Sequence, residues 1–199
     1  MVLSINICQF TTKSLRPMPA LNLEKVFTQQ RPTIWRHLIG PYDAVKLTDE
    51  LSQPSTVSHG IERRAVAIFR AGMLNYPNNL NEFTELYNQQ KGYILQDADI
   101  DNIVIRNLKG LLSNRARTRT TIAAYISEKG HAVLPLHRDA LPVLALQISG
   151  SKQFDLVNAE RNKTEVILNP GDGLFIPAGL EHQTKTLENS SHLCVEFHP

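Results

Sequence analysis

The alternation of hydrophobic and polar residues changes character near Arg119. From there on, short runs of apolar, β-branched and aromatic residues follow one another, and the turn sequences EKG, SGS, PGD and ENS separate several of them. Such runs are typical of strands. They predict eight strands, at 120–127, 131–137, 142–149, 152–158, 164–169, 173–177, 182–187 and 191–198. Eight short strands with tight turns favour a closed antiparallel barrel or jelly roll, with a mouth that can hold a ligand.

The region before Arg119 mixes helical and extended patterns. Helices are predicted at 22–30, with Asn22 as a candidate cap, at 45–53, and at 79–92, where a glycine ends the pattern. Strands are predicted at 63–70 and 93–97, and 31–40 starts extended around its proline. We therefore expect a mainly β (α+β) protein. A single domain would cover 1–199, in which the helices and strands of 1–118 support a barrel built by 119–199.

Composition narrows the class of protein. The 199 residues are 42% hydrophobic, which favours a globular fold, and no apolar run is long enough to cross a membrane. The opening MVLSINICQF lacks the features of a signal peptide. Cys8 and Cys194 are the only two cysteines, so a disulfide framework is not expected and a cytoplasmic setting is the default.

One local charge bias stands out against a net charge of +2, which is too small to imply nucleic acid by itself. The stretch RNLKGLLSNRARTR, residues 106–119, contains five basic residues and no acid. It is interpreted either as a solvated basic surface or as a site for an acidic partner.

A second pattern concerns metal chemistry. His137 and Asp139 are two positions apart on a predicted strand end, so their side chains point the same way, and His182 begins a later strand. Two imidazoles and one carboxylate on one face form the facial triad of non-haem iron enzymes, which leaves coordination positions open for a chelating substrate and dioxygen. A zinc site is the chemical rival, but the helical HExxH spacing is absent. The plainer alternative is that His137 and Asp139 are ordinary turn residues.

Lys152 stands just past the SGS turn, on the strand after the one that follows Asp139. This hairpin can place its ammonium deep in the barrel, below the metal. A buried lysine needs an anion, which the far carboxylate of a dicarboxylate would supply. The alternative is a solvated lysine beside a turn.

The segments PLHRD, LQISGSK and NPGDGLFIPAGLEH resemble those of the JmjC and cupin-like Fe(II)/2-oxoglutarate oxygenases. That group includes the ribosomal oxygenases and the asparaginyl hydroxylase of hypoxia-inducible factor. The upstream segments QRPTIWRHLIG, EFTELY and GYILQD are also similar to the family. The resemblance implies a double-stranded β-helix, with His137, Asp139 and His182 as iron ligands and Lys152 as the salt-bridge partner of 2-oxoglutarate.

The chain departs from the family pattern at three positions. Leu134 replaces a common threonine, and Val143 and Glu196 replace asparagines. The cosubstrate pocket is therefore partly rebuilt, and the candidates for its missing hydrogen bonds are Tyr125, Thr121 and Gln147. Tyr125 is equally consistent with a core tyrosine. The candidate substrate-binding residues are Arg138 and Glu196, with pairing of Arg138 to Glu181 as an alternative.

The function implied by the resemblance is hydroxylation of an unactivated C–H bond with Fe(II), 2-oxoglutarate and O2, releasing succinate and CO2. Because Pro199 directly follows the last predicted strand, we expect a small molecule or a peptide side chain as substrate. The alternatives are a metal-dependent cupin enzyme that does not use 2-oxoglutarate, an RNA- or protein-modifying JmjC hydroxylase, and a non-catalytic binding barrel. Nucleic acid is the less favoured partner, and a homodimer is left open. The remaining histidines are interpreted as surface or hydrogen-bonded residues: His37, His59, His131, His192 and His198.

Overall fold

The computed structural model describes residues 23–131 and 134–198. Five helices lie in this part of the chain: Leu23–Gln29 (α1), Pro41–Leu51 (α2), Pro54–Glu62 (α3), Leu80–Gln90 (α4) and Ile103–Ala116 (α5). None of them is long and apolar enough to cross a membrane. The same residues form eleven strands: Thr33–Trp35 (β1), Val66–Arg70 (β2), Met73–Asn75 (β3), Gly92–Leu95 (β4), Arg119–Ser127 (β5), Val143–Ser149 (β6), Lys152–Val157 (β7), Lys163–Leu168 (β8), Gly173–Ile176 (β9), Glu181–Thr186 (β10) and Ser190–His198 (β11).

The strands form two antiparallel sheets that pack on each other. The larger has the order β1-β9-β6-β11-β5-β4-β2-β3, and the smaller has the order β10-β7-β8. Apolar side chains of both sheets fill the space between them, among them Ala145 and Leu174 from the larger and Phe154 and Leu168 from the smaller. The predicted fold class, a mainly β double-stranded β-helix barrel with short N-terminal helices and strands, is confirmed.

A second core lies on the other face of the larger sheet. Leu144 and Ile122 point away from the barrel and join a cluster with Leu51 of α2 and Leu112 of α5. Strand β6 is therefore buried on both faces, which explains why its sequence is apolar at nearly every position rather than alternating.

The helices match the sequence pattern in part. The predicted helices correspond to α1, α2 and α4, while Asn22 lies outside the described residues. The Asn79 side chain caps α4 by accepting from the amide of Glu82, and α4 ends at Lys91, whose φ is 57°, rather than at the expected glycine. Helices α3 and α5 were not predicted. The Asn102 side chain caps α5 by accepting from two backbone amides.

The predicted strand at 131–137 is wrong for the residues described there. Residues 134–136 are irregular, and only His137 forms an isolated β-bridge. Pro135 has no N–H with which to continue a ladder, which explains the interruption.

The N-terminal part of the chain is joined to the barrel at a buried carboxylate. Strand β1 pairs with β9, and Asp172 precedes β9. Arg36 Nη1 lies 2.5 Å from Asp172 Oδ2, and the amides of His37 and Asn169 donate to the same carboxylate at 3.2 and 3.0 Å. These contacts fix the segment after β1 against the turn that leads into β9.

Much of the basic 106–119 stretch is helical and partly engaged within the fold. Lys109 Nζ lies 2.8 Å from Asp99 Oδ2, and Arg106 donates to the backbone carbonyls of Asp99 and Ile100. These two cations therefore contribute less to an open basic surface than the sequence suggests.

Candidate metal centre

His137 and His182 are paired through their backbones. Each amide donates to the other residue's carbonyl, at 3.0 Å from His137 and 2.9 Å from His182. The ring centroids lie 4.4 Å apart. A bridge of this kind places the two side chains on the same side of the backbone, so both imidazoles project together.

Asp139 completes a cluster with these two rings. Its Oδ1 lies 3.6 Å from His137 Nε2 and its Oδ2 lies 3.5 Å from His182 Nε2. One ligand atom from each residue can be chosen so that all lie within 4.8 Å of one another. The amide of Gly179 donates to the carbonyl of Asp139 at 2.8 Å, which ties this loop to the turn preceding β10.

The outward nitrogens of both rings are occupied by backbone carbonyls. His137 Nδ1 lies 2.8 Å from the carbonyl of Pro135, and His182 Nδ1 lies 3.0 Å from that of Leu180. Since carbonyls only accept, each Nδ1 carries a proton, and in a neutral ring Nε2 keeps its lone pair. Burial, the largest influence, lowers the pKa of His182 and favours this neutral form. The two Nε2 atoms and the Asp139 carboxylate thus face one point, as a divalent metal requires.

A narrow cavity of about 40 Å³ adjoins the cluster. Its walls include Val143 and Ala145 of β6, Tyr125 of β5 and Cys194 of β11. Burial raises the pKa of the Cys194 thiol, so this group stays protonated near neutral pH. The cavity lining combines apolar side chains with the polar groups of the triad, Tyr125, Thr184, His192 and Glu196, which can hold a small ligand in a fixed orientation.

Lys152 lies further down the barrel with no exposed surface. It is in register with Thr186 at the end of β10, whereas His182 near the start of β10 is opposite Leu156. Its Nζ donates to Ser127 Oγ at 3.0 Å and lies 3.1 Å from His192 Nδ1. No carboxylate of residues 23–131 or 134–198 pairs with it, and burial lowers the pKa of Lys152 to about 7.

His192 is the site residue that the sequence interpretation missed. Its ring stacks on Tyr125 at a centroid distance of 4.9 Å and meets Phe154 edge-on at 5.8 Å. It lines the cavity beside the triad, and its other side contacts Lys152. The available signal was strand parity, because His192, Cys194 and Glu196 alternate along β11 and all face the cavity.

Only some of the other candidate residues line the cavity. Tyr125 and Glu196 line the cavity, whereas Thr121 lies beside it, with its hydroxyl donating to Glu196 Oε2 at 3.0 Å. Thr121, Tyr125 and Glu196 also line an adjoining groove of about 370 Å³. Gln147 is fully buried and donates to the carbonyls of Ser149 and Gly150, and it does not line the cavity. The Arg138 side chain is 63% exposed, with Nη2 3.9 Å from Glu181, so it lies outside the cavity.

Comparison with known proteins shows the fold to which this geometry belongs. The JmjC domain profile matches residues 151–199. Solved structures of YcfD, described as a ribosomal oxygenase from Escherichia coli, share the fold. The complex with cobalt and 2-oxoglutarate aligns with a TM-score of 0.64, and the complex with cobalt and succinic acid with 0.63. This is a JmjC/cupin-like fold.

The JmjC/cupin-like chain is 17% identical to YcfD in both structures, and the alignment covers 90% of this chain and 52% of YcfD. The chain thus spans about half the length of these neighbours. No curated protein sequence matches it. The match of the JmjC profile includes Lys152, His182 and His192, whereas His137 and Asp139 precede it.

Proposed function

We propose that the chain is an Fe(II)- and 2-oxoglutarate-dependent oxygenase that hydroxylates an unactivated C–H bond, consuming O2 and releasing succinate and CO2. The observation that carries this proposal is the fully buried Lys152, which has no carboxylate partner among the described residues. It lies in the same barrel as two imidazoles and a carboxylate that converge on one point. A buried cation without an anion is costly, and an anionic ligand would relieve that cost.

The donor set fits Fe(II). His137 and His182 would each supply Nε2 and Asp139 a carboxylate oxygen, and the bound metal with 2-oxoglutarate and O2 would supply the oxidising chemistry. The carbonyls of Pro135 and Leu180 hold the two rings in the tautomer that this role needs. The YcfD structure with cobalt and 2-oxoglutarate supports the same assignment by similarity of fold.

The cosubstrate would be oriented by residues lower in the barrel. Lys152 would provide the positive charge for its far carboxylate, and Tyr125 lines the cavity and stacks on His192, which contacts Lys152. Gln147 Oε1 is buried without a hydrogen-bond partner among the described residues, so a donor group that reached it would find an acceptor there. Phe154 and Val143 exclude water from the same space.

The substrate would enter through the groove next to the cavity. This groove shares Tyr125, Leu134 and Glu196 with the cavity, and its volume of about 370 Å³ can hold a small molecule or a peptide side chain. Glu196 is the proposed substrate-binding residue. Arg138, at the exposed rim, would act only on a substrate that extends outside the barrel. The proposal includes a cytoplasmic setting.

One observation favours a second function. Lys152 does not line the cavity, because His192 lies between them. A metal-dependent cupin enzyme that does not use 2-oxoglutarate would need no accessible lysine, so this is the second candidate.

An anaerobic titration distinguishes the two functions. Fe(II) is added to the metal-free protein, followed by 2-oxoglutarate, and the visible metal-to-ligand charge-transfer band is recorded. The oxygenase gives a saturable band that weakens in Lys152→Met and is absent in His182→Ala. The Lys185→Met variant, which changes an exposed lysine on β10, is the matched control and keeps the band. Stoichiometric iron without a band would instead establish the second candidate.

A further inference from the structure

The cavity beside the metal centre ends at an imidazole rather than at an ammonium. His192 lines the cavity, and Lys152 lies behind it with no exposed surface. A ligand that reaches down from the triad therefore meets His192 first. The position of His192 in front of Lys152 differs from the direct contact between Lys152 and the cosubstrate that the family resemblance implies.

The orientation of the His192 ring follows from its neighbours. An ammonium has donors and no lone pair, so whenever Lys152 is charged, His192 Nδ1 at 3.1 Å must accept from it. A neutral His192 then carries its proton on Nε2. Burial, followed by the charge of Lys152, holds the pKa of His192 well below its ordinary value, so the neutral ring is the relevant form.

The ring is also held in place. It stacks on Tyr125 with an interplanar angle of 23° and meets Phe154 at 83°. Behind it, Ser127 accepts from Lys152, so its single hydroxyl proton is available to Thr186 Oγ1 at 2.9 Å. A charged Lys152 therefore donates in two directions, to His192 Nδ1 on one side and to Ser127 Oγ on the other. Among the described residues, Nε2 of His192 has no hydrogen-bond partner.

We propose that His192 is the residue that binds the far carboxylate of the dicarboxylate cosubstrate, donating from Nε2 while Lys152 holds the ring in this tautomer and supplies the positive charge behind it. This inference rests on the proposed function. It also accounts for the departures from the family pattern at Leu134 and Val143, since a donor on β11 replaces the side chains lost at those two positions. His192 thus selects cosubstrates that carry a second carboxylate.

Binding measured with two ligands tests the inference. Affinities for 2-oxoglutarate and for 2-oxovalerate, which has the same chain length without the second carboxylate, are determined anaerobically in the Fe(II)-loaded protein. We expect the wild type to prefer 2-oxoglutarate. His192→Phe keeps the stacked ring without its nitrogens and should weaken 2-oxoglutarate binding about 10- to 100-fold while leaving 2-oxovalerate unchanged. His192→Gln, which can still donate, should recover part of the loss. His131→Gln, at an exposed turn, is the control.

The contrary outcomes are distinct. If His192→Phe binds 2-oxoglutarate as tightly as the wild type, or more tightly, the ring only obstructs Lys152 and the inference is overturned while the proposed function stands. If the wild type binds iron but neither keto acid, the proposed function fails and the inference fails with it. A measurement on the unmutated protein guards against misfolded variants: ¹⁵N NMR of the Zn(II)-loaded protein at pH 6 should show the His192 proton on Nε2. A proton on Nδ1 would overturn the inference.

Discussion

The backbones of His137 and His182 form a two-hydrogen-bond bridge that places their rings 4.4 Å apart. The two residues lie on different segments of the chain, and the bridge is the point at which the irregular loop 134–139 touches β10. The donor set is therefore positioned by main-chain pairing and by carbonyls on Nδ1, before any metal is present. Such preorganisation reduces the ordering that a metal must impose when it binds.

Removal of one imidazole should abolish tight metal binding. We expect His182→Ala to weaken Fe(II) or Co(II) binding by more than about 100-fold, because loss of a direct ligand should exceed the 10- to 100-fold effects of changes around a ligand. Isothermal titration calorimetry measures the affinity and the number of metal ions per chain. His131→Ala, at an exposed turn, should bind normally. One metal ion bound to His182→Ala with unchanged affinity would place the centre elsewhere.

Replacement of Lys152 by methionine should stabilise the ligand-free protein at pH 6. Burial lowers the pKa of Lys152 to about 7 in the folded state, against about 10.5 when unfolded. Below pH 7 both states are protonated, so the folded state holds a buried charge at a cost. Lys152→Met removes that cost, and although Ser127 and His192 lose a donor, we expect a gain of about 1–2 kcal/mol in the free energy of unfolding.

The pH dependence of this gain follows from proton linkage. Between pH 7 and about 10.5 the unfolded chain binds more protons than the folded one, so wild-type stability rises with pH in this window. The advantage of Lys152→Met should therefore shrink between pH 6 and pH 9. Urea unfolding at the two pH values measures it, with Lys185→Met as the exposed control. A Lys152→Met protein less stable than wild type at both pH values would contradict the prediction.

The affinity for 2-oxoglutarate should fall as pH rises above 7. In the free protein the ammonium of Lys152 begins to lose its proton near pH 7, and an anionic ligand must restore it, which costs up to about tenfold in affinity per pH unit. His192, the titratable group in contact with Lys152, has a pKa held well below its ordinary value and stays neutral in this range. Calorimetry in buffers of different ionisation enthalpy should detect proton uptake at pH 8 and little at pH 6.

The control for this experiment is 2-oxovalerate, which would meet the same metal ligands but has no far carboxylate. Its affinity should change less between pH 6 and pH 8. An equal change for both keto acids would assign the pH dependence to the metal centre rather than to Lys152.

The sequence pattern predicted the barrel well because its strands are separated by residues with turn geometry. Gly150, in the SGS turn between β6 and β7, has a φ of 59°, and a Cβ there would lie 2.2 Å from the carbonyl oxygen of Asn189. The strand predicted at 131–137 was wrong because Pro135 interrupts an otherwise apolar run. Helix α5 was missed because β-branched Ile103, Val104 and Ile105 occupy its first turn, and tertiary burial of Ile105 outweighs their weak helix propensity.

The metal-binding triad was predictable from the spacing of its residues, although His137 and Asp139 lie in an irregular loop rather than on a strand, and the rest of the site depends on packing. His137, Asp139 and His182 were expected on one face, and the structure brings them together. His192 was not singled out although it shares the parity of Glu196 on β11, because its contacts with Lys152 and Tyr125 depend on packing that the sequence does not show. Gln147 shares the parity of Val143 and Ala145 on β6, but its side chain donates to the backbone carbonyls of the SGS turn and does not line the cavity.

The buried carboxylate of Asp172 should stabilise the fold at neutral pH and cease to do so in acid. Burial alone would raise its pKa, but the amide of Asn169, the guanidinium of Arg36 and the amide of His37 hold the pKa of Asp172 below its usual value of 3.8. The unfolded chain therefore binds the proton more readily, so the stabilisation is present above about pH 4 and is lost as pH falls through the lower folded-state pKa.

Asp172→Asn replaces an acceptor oxygen with an amide group that faces donors, and we expect the free energy of unfolding to fall by about 1.5–3 kcal/mol at pH 7. Guanidinium unfolding at pH 7 and pH 3, with exposed Asp49→Asn as the control, measures the difference. A deficit of the same size at both pH values would mean that the charge on Asp172 does not anchor the segment after β1.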